Sequence, residues 1–91
     1  MKYDVVYSKK FERDYEKIKR RGKDTSKLKE VVKILTEGRP LDKKYREHVL
    51  KGKYNGVHEC HIEPDWLLTW VVDKGRLILN FTRTGTHSDL F

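Results

Sequence analysis

The chain has 91 residues, which is enough for one small domain spanning 1–91 but too few for a thick hydrophobic core. No apolar run approaches the ~20 residues that span a bilayer, and the start MKYDVVYSKK lacks the apolar segment of a signal peptide. The lone Cys60 has no partner for an intrachain disulfide. The chain has 38% charged residues and a net charge of +7, nothing in it demands a membrane partner, and we expect a cytoplasmic protein.

The positive charge is concentrated in the first part of the chain. Residues 1–53 hold 18 Lys and Arg against 9 Asp and Glu, whereas residues 54–91 hold 3 against 5, so the two parts carry +9 and −2. This asymmetry predicts an anion-binding surface beside a separate chemical site. The anion could be nucleic acid, an acidic protein or an acidic membrane, and a merely solvated Lys-rich surface is the alternative.

The first part of the chain predicts one strand and two helices. Alternation over residues 2–7 indicates the strand, and Ser8 is a suitable N-cap for a helix that runs to about Arg21. A second helix is predicted to begin near Thr25 or Ser26 and to end before Gly38. The apolar stripes of the two helices consist of Phe11, Tyr15 and Ile18, and of Leu28, Val31, Val32 and Leu35.

The second part predicts an irregular segment and three strands. Residues 39–55 lack periodicity, and strands are predicted over 57–62, 66–72 and 77–83, with a turn at Pro64 and a hairpin turn at 73–75. The order β-α-α-β-β-β predicts an α+β fold. Its twisted sheet should be mainly antiparallel, with the two helices packed on one face.

Histidine is the most conspicuous candidate for chemistry, because its ordinary pKa allows proton uptake and release near neutrality. All four histidines, His48, His58, His61 and His87, lie in the second half of the chain. Scattered surface or structural histidines are the alternative interpretation.

Strand parity separates the residues of the segment 57–62 into two faces. Cys60 and Ile62 are predicted to face the core, which leaves Glu59 and His61 on the opposite face. Asp65 follows His61 by four residues across a turn, where a carboxylate could orient an imidazole or simply cap the turn.

A metal site is not the favoured interpretation. His58 and His61 would point to opposite faces of a strand, and no C-x-x-C or H-E-x-x-H motif is present. A zinc site built from His48, His61, Asp65 and His87 is a minor alternative. Cys60 is predicted to be an inert core thiol rather than a nucleophile.

The segment 83–91 (RTGTHSDLF) has the residues of a functional tail. Arg83 is a suitable phosphate ligand, Gly85 permits a tight bend, His87 could then return to the sheet, and Phe91 could stack on a base. A frayed terminus in which Leu90 and Phe91 fill an apolar gap is the alternative.

Three motifs together resemble one protein family. The stretches 61–68 (HIEPDWLL) and 83–91 resemble YafQ-like toxins of the RelE/ParE superfamily, and 45–52 (YREHVLKG) is similar to the family's loop with a histidine before Leu-x-Gly. The resemblance spans nearly the whole chain and implies a RelE-like fold. One departure is His58, where the family's Arg-Glu-Cys-His pattern has Arg.

The resemblance implies a bacterial toxin encoded with its antitoxin. Such toxins are ribosome-dependent mRNA endonucleases, inhibited by a cognate antitoxin that wraps the toxin and joins it on operator DNA. By position, the functional residues that the resemblance implies are His48, His61, Asp65, His87 and Phe91. Trp66 is expected nearby as a residue that contacts the RNA, and Arg83 is expected as the strand-end cation.

The chemistry expected from these residues is RNA cleavage by the RNA's own 2′-hydroxyl, with no metal and no cofactor. His87 would be the general acid, and His48 or His61, oriented by Asp65, the general base. Arg83 with Lys51 or Lys53 would stabilise the phosphate, and Phe91 would stack beside the cut. The alternatives are a non-catalytic DNA gyrase inhibitor of the same superfamily and a plain RNA-binding module.

Overall fold

The computed structural model describes residues 2–91. The strands and helices in chain order are β1 (Asp4–Tyr7), α1 (Lys9–Arg20), α2 (Thr25–Thr36), β2 (His48–Val49), β3 (His58–Glu63), β4 (Trp66–Asp73), β5 (Ile78–Gly85) and α3 (His87–Leu90). Two one-turn 3-10 helices, Lys43–Tyr45 and Gly52–Tyr54, lie before and after β2.

The five strands form one sheet in the order β1-β5-β4-β3-β2. Strand β1 runs parallel to β5, and all other neighbours are antiparallel. The predicted α+β fold with a mainly antiparallel sheet is therefore confirmed. The order of elements along the chain did not predict the parallel pair, which places the first strand beside the last.

Helices α1 and α2 begin where their caps predict. The Ser8 hydroxyl accepts a hydrogen bond from the Phe11 amide at 3.0 Å and donates to the Thr82 carbonyl at 2.8 Å, so it caps α1 and also attaches it to β5. Asp24 caps α2 in the same way through the Ser26 amide. No helix within residues 2–91 combines the length and the apolar character needed to cross a membrane.

The hydrophobic core lies between the two helices and one face of the sheet. This arrangement confirms the predicted packing of both helices on a single face. The core residues are Phe11, Ile18, Leu28, Val31 and Leu35 from the helices and Cys60, Ile62, Trp66, Leu68, Trp70, Leu79 and Phe81 from the sheet.

Three local predictions differ from the structure. Part of the segment predicted to be irregular forms β2, which pairs His48 with Glu59. The last hairpin turn covers residues 74–77 instead of 73–75, and Leu77, predicted in a strand, has a φ of 55° in this turn. The Asp73 carboxylate accepts a hydrogen bond from the Arg76 amide at 3.1 Å, which favours the longer turn. Residues 87–90, for which no helix was predicted, form α3.

Candidate active site

The candidate site lies on the sheet face opposite α1 and α2. In β3, Cys60 and Ile62 contribute to the core, so alternation places Glu59 and His61 on the other face, as parity predicted. Glu59 is nevertheless only 5% exposed. A carboxylate that is buried this deeply needs partners, because an unpaired buried charge is strongly unfavourable.

Three histidines from three different elements meet on this face. His48 comes from β2, His61 from β3 and His87 from α3. The ring centroids of His48 and His61 are 6.4 Å apart, and those of His61 and His87 are 5.7 Å apart. The structure therefore brings together, on one face of the sheet, the three histidines that the resemblance implied.

Glu59 is the carboxylate that contacts the first two histidines. Its Oε1 lies 3.2 Å from His48 Nε2 and 4.0 Å from His61 Nε2. The other ring nitrogen of His48, Nδ1, lies 2.9 Å from the carbonyl oxygen of Arg46. Both nitrogens of His48 thus face acceptors, an arrangement that suits the imidazolium form, in which both nitrogens donate.

Asp65 contacts the third histidine. Its Oδ1 accepts a hydrogen bond from the His87 backbone amide at 3.0 Å and lies 2.7 Å from His87 Nδ1. The hydrogen bond from the His87 amide is the largest cause that lowers the pKa of Asp65, and the contact with the His87 side chain is the second. The expectation that Asp65 orients His48 or His61 is therefore corrected, because the turn at residues 64–65 aims the carboxylate at α3.

The short helix α3 is also held in place by a carboxylate of its own, Asp89. Asp89 accepts hydrogen bonds from both Arg21 Nη atoms, at 2.6 and 3.0 Å, and from the Thr86 amide at 2.9 Å. The Arg21 guanidinium is the largest cause that lowers the pKa of Asp89 well below its usual range. The network ties the helix that carries His87 to the end of α1.

The bend that starts α3 requires glycine. Gly85 has a φ of +153°, and a Cβ atom there would lie 2.8 Å from Asp89 Oδ2 and 3.1 Å from Leu90 Cδ1. The segment is therefore a packed turn and helix, as Gly85 suggested, and not a frayed end.

The candidate phosphate and base contacts lie at the border of the site. Arg83 forms a two-point ion pair with Asp14 at 2.7 and 3.2 Å. Phe91 is 56% exposed and meets Tyr54 edge to face with ring centroids 5.2 Å apart. Lys51 and Lys53 are exposed. Contact of these four predicted residues with RNA stays a prediction.

Trp66 does not belong to this border. It is 1% exposed in the helix-side core, and its indole nitrogen donates to Thr84 Oγ1 at 2.9 Å. Because alternation turns it away from the histidines, the expectation that it contacts RNA is corrected. His58 also lies outside the cluster, stacked on Trp70 with centroids 5.5 Å apart, and burial lowers its pKa.

Cys60 has the environment of an inert thiol. Its side chain is fully buried, and this burial raises its pKa to about 12. No group of three or more His, Cys, Asp or Glu side chains within residues 2–91 has the geometry to hold a metal ion.

Two residues of the site were not singled out from the sequence. Glu59 had been placed on the correct face by parity, and its acidic side chain next to His61 was the signal that could have identified it. Tyr54 lies in the segment predicted to be irregular, where no periodicity predicts contact with Phe91.

Comparison with known proteins agrees with this geometry. A family model described as the bacterial toxin of type II toxin–antitoxin system, YafQ, matches residues 3–91. The mRNA interferase toxin YafQ of Escherichia coli strain K12 is 39% identical over 90 residues, which cover 97% of this chain and 95% of that protein.

Solved structures are similar over nearly the full length. The E. coli DinJ–YafQ toxin–antitoxin complex contains a chain with a TM-score of 0.90 and 36% identity, covering 100% of this chain and 99% of that chain. A metal-bound toxin from Helicobacter pylori has a TM-score of 0.92 and 38% identity, with coverage of 98% and 99%. The chain therefore belongs to the YafQ family of bacterial toxins of type II toxin–antitoxin systems.

Proposed function

We propose that this chain is an endoribonuclease that cleaves translated mRNA on the ribosome by histidine-based acid–base catalysis, without a metal ion. The observation that carries the proposal is the convergence of His48, His61 and His87, with ring separations of 6.4 and 5.7 Å. The similarity to a protein named mRNA interferase toxin supports the reaction class.

The reaction needs one proton acceptor and one proton donor on either side of a phosphate. The acceptor removes the proton from the ribose 2′-hydroxyl, whose oxygen then attacks the adjacent phosphorus. The bond from phosphorus to the 5′-oxygen breaks, and the donor protonates that oxygen. The products are a 2′,3′-cyclic phosphate, which water can open to a 3′-phosphate, and a 5′-hydroxyl.

His87 is assigned as the general acid. The Asp65 carboxylate, 2.7 Å from His87 Nδ1, stabilises the imidazolium and leaves Nε2 as the nitrogen that can donate to the leaving oxygen. The same contact fixes the ring orientation from the start of α3. The acid is therefore oriented before the RNA arrives.

His61 is assigned as the general base, and His48 as the cation beside it. His61 Nδ1 lies 3.3 Å from the Pro64 carbonyl oxygen, which favours a proton on Nδ1 and leaves Nε2 as the nitrogen that can act as the base. His48, between two acceptors, supplies positive charge to the phosphorane instead.

The border residues complete the proposed site. Arg83 with Lys51 or Lys53 would neutralise the phosphate, and Phe91 would stack on the base beside the cut. The RNA brings its own nucleophile, so the two-imidazole reaction needs no metal-bound water. A chelator tests this part of the proposal, which matters because a relative is metal-bound.

The central experiment maps mRNA ends after expression of the chain in bacterial cells. Cuts within translated codons, with 5′-hydroxyl ends, are expected, and replacement of His87 by Ala should lower cleavage by about 10²–10⁴-fold. DNA damage with intact mRNA would indicate a gyrase inhibitor, and the absence of both effects would favour a binding module. Loss of cleavage after the protein alone is treated with EDTA, freed of the chelator and added to ribosomes in Mg²⁺ buffer, with recovery when a transition metal is restored, would refute the metal-free reaction.

The basic helices are assigned to ribosomal RNA. The α1 and α2 surfaces expose cations that neutralise phosphates, so Lys29→Glu with Lys33→Glu should weaken ribosome binding and flatten its salt dependence. Equal ribosome affinity of this variant at low salt would argue against the assignment.

The partner that regulates the protein is proposed to be a cognate antitoxin. The related E. coli YafQ is found in a complex with DinJ, and this chain has the same fold over its length. Operator DNA would be contacted only through that complex. The Lys29→Glu and Lys33→Glu variant should bind the antitoxin with less loss than it binds ribosomes.

A further inference from the structure

A second concave surface adjoins the histidine cluster. It encloses about 560 Å³ between the start of α1, the loop after β2, and α3, and we refer to it as the tail groove. This volume is within the range of small-molecule sites. The tail-groove residues used in the following argument are Lys9, Lys10, Tyr54, Thr69, Arg83 and Phe91.

The tail groove is continuous with the site described above. Thr69, on its floor, is the strand partner of Glu59 on one side and of Arg83 on the other. Side chains of directly paired residues point to the same face of a sheet, so the floor begins beside the carboxylate that contacts His48. Phe91 and His87 both belong to the α3 segment, so the segment that lines the tail groove also carries a histidine of the cluster.

The lining of the tail groove suits an anion with an aromatic part. It includes Lys9, Lys10 and Arg83 and contains no Asp or Glu. Tyr54 and Phe91 are 37% and 56% exposed, so the aromatic pair offers stacking surface to solvent. The bonds of Arg83 to Asp14 and to the Asp89 carbonyl use Nε and Nη2, and leave Nη1 without a partner within residues 2–91.

The groove between α1 and α2 offers a useful contrast. It is lined mainly by apolar side chains, and its charged residues are Glu12, Glu16, Lys29 and Lys33, so two carboxylates offset two lysines. This groove also lies on the opposite side of the sheet from the histidines. Compared with it, the tail groove has the net positive charge, the exposed aromatic rings and the position that RNA requires.

We propose that the tail groove binds the nucleotide of the RNA substrate that neighbours the scissile phosphate, with its base against Tyr54 and Phe91 and its outer phosphate between Lys9 and Lys10. The proposal rests on the proposed ribonuclease function and adds the path of the strand away from the cut. Stacking alone discriminates little between bases, so the groove sets the position of the strand rather than a strict sequence.

The test uses ribosomes programmed with an mRNA that carries 4-thiouridine next to the cleavage position. The His87→Gln variant keeps the mRNA intact during irradiation, and the crosslinked peptide is then mapped. A crosslink in the peptide that contains Tyr54 or Phe91 is expected. A crosslink confined to peptides outside the tail groove would overturn the proposal.

Cleavage kinetics supply the second measurement. In otherwise unchanged protein, Tyr54→Leu should raise KM by about 5- to 150-fold, Tyr54→Phe should restore it, and Lys9→Gln with Lys10→Gln should also raise it. Lys74→Gln with Arg76→Gln is the matched control, because these two cations of the last hairpin turn are exposed and lie outside both the tail groove and the concave surface that His61 lines.

The outcomes separate this proposal from the function on which it rests. Normal cleavage by all groove variants refutes the groove and leaves the ribonuclease intact. Absence of cleavage by the unaltered protein refutes the function, whereas a crosslink to Tyr54 would still support the groove. Loss of antitoxin binding with unchanged KM would assign the groove to the antitoxin and overturn the RNA proposal.

Discussion

Replacement of Glu59 by Gln tests whether the negative charge beside His48 contributes to cleavage. The substitution keeps the shape of a side chain that is 5% exposed but removes the charge that faces His48 Nε2 at 3.2 Å. A hydrogen bond to a charged group contributes about 1.5–3 kcal/mol. If that contact acts in the transition state, its loss lowers the cleavage rate by about 10- to 150-fold.

The effect should appear in kcat and leave KM nearly unchanged, because Glu59 lies beneath the imidazoles. Single-turnover cleavage of ribosome-bound mRNA measures the rate, and thermal unfolding checks that the variant is folded. Glu63→Gln is the matched control, since Glu63 is on the same strand but binds Lys23 and Lys27 at 3.0 and 2.9 Å. A folded Glu59→Gln protein that cleaves at the normal rate, or an equal loss in the control, would refute the reasoning.

Three further predictions concern the support of the site. Asp89→Asn should release α3, lower kcat through His87 and speed hydrogen exchange of residues 87–90. The folded-state pKa of Asp89 is lowered, so the stabilisation from its ion pair is complete above pH 3.8 and is lost as pH falls through the lowered value. Slow hydrogen exchange of residues 87–90 in the unaltered protein is therefore expected at pH 4.5. Fast exchange of these residues at pH 4.5 would contradict the prediction. Cys60, with a pKa raised to about 12, should resist iodoacetamide at pH 8 and react only when urea unfolds the chain; rapid labelling of folded protein would contradict its burial. Trp66→Phe leaves the Thr84 hydroxyl without its indole donor and should lower the free energy of unfolding by about 1–3 kcal/mol, which an unchanged melting curve would refute.

Local patterns were sufficient to predict most of the fold. The Ser8 cap and the apolar stripe of α1 depend only on residues within a few turns of one another, so the helix begins where the sequence predicts. Strand β2 has only two residues, too few for any periodicity, and exists because His48 pairs with Glu59. The parallel pairing of β1 with β5 joins residues 74 positions apart, which no local pattern encodes.

The sequence predicted which residues form the site better than it predicted which of them contact one another. The histidines were identified because few side chains titrate near neutrality. Which carboxylate meets which imidazole depends on the direction of the turn at 64–65 and on the register of β2, so Asp65 contacts His87, and Glu59 contacts His48. Both are tertiary properties, set by hydrogen bonds between distant segments.

The parallel pairing of β1 with β5 governs when the protein becomes competent during its own synthesis. A nascent chain that ends at residue 77 has made β1 but not its partner, which spans Ile78–Gly85, and lacks the helix that supplies His87. Contacts between such distant residues form late, since the whole intervening segment must be closed as a loop. The histidine cluster of a nascent chain is therefore not assembled until residues 78–91 have left the exit tunnel of the ribosome.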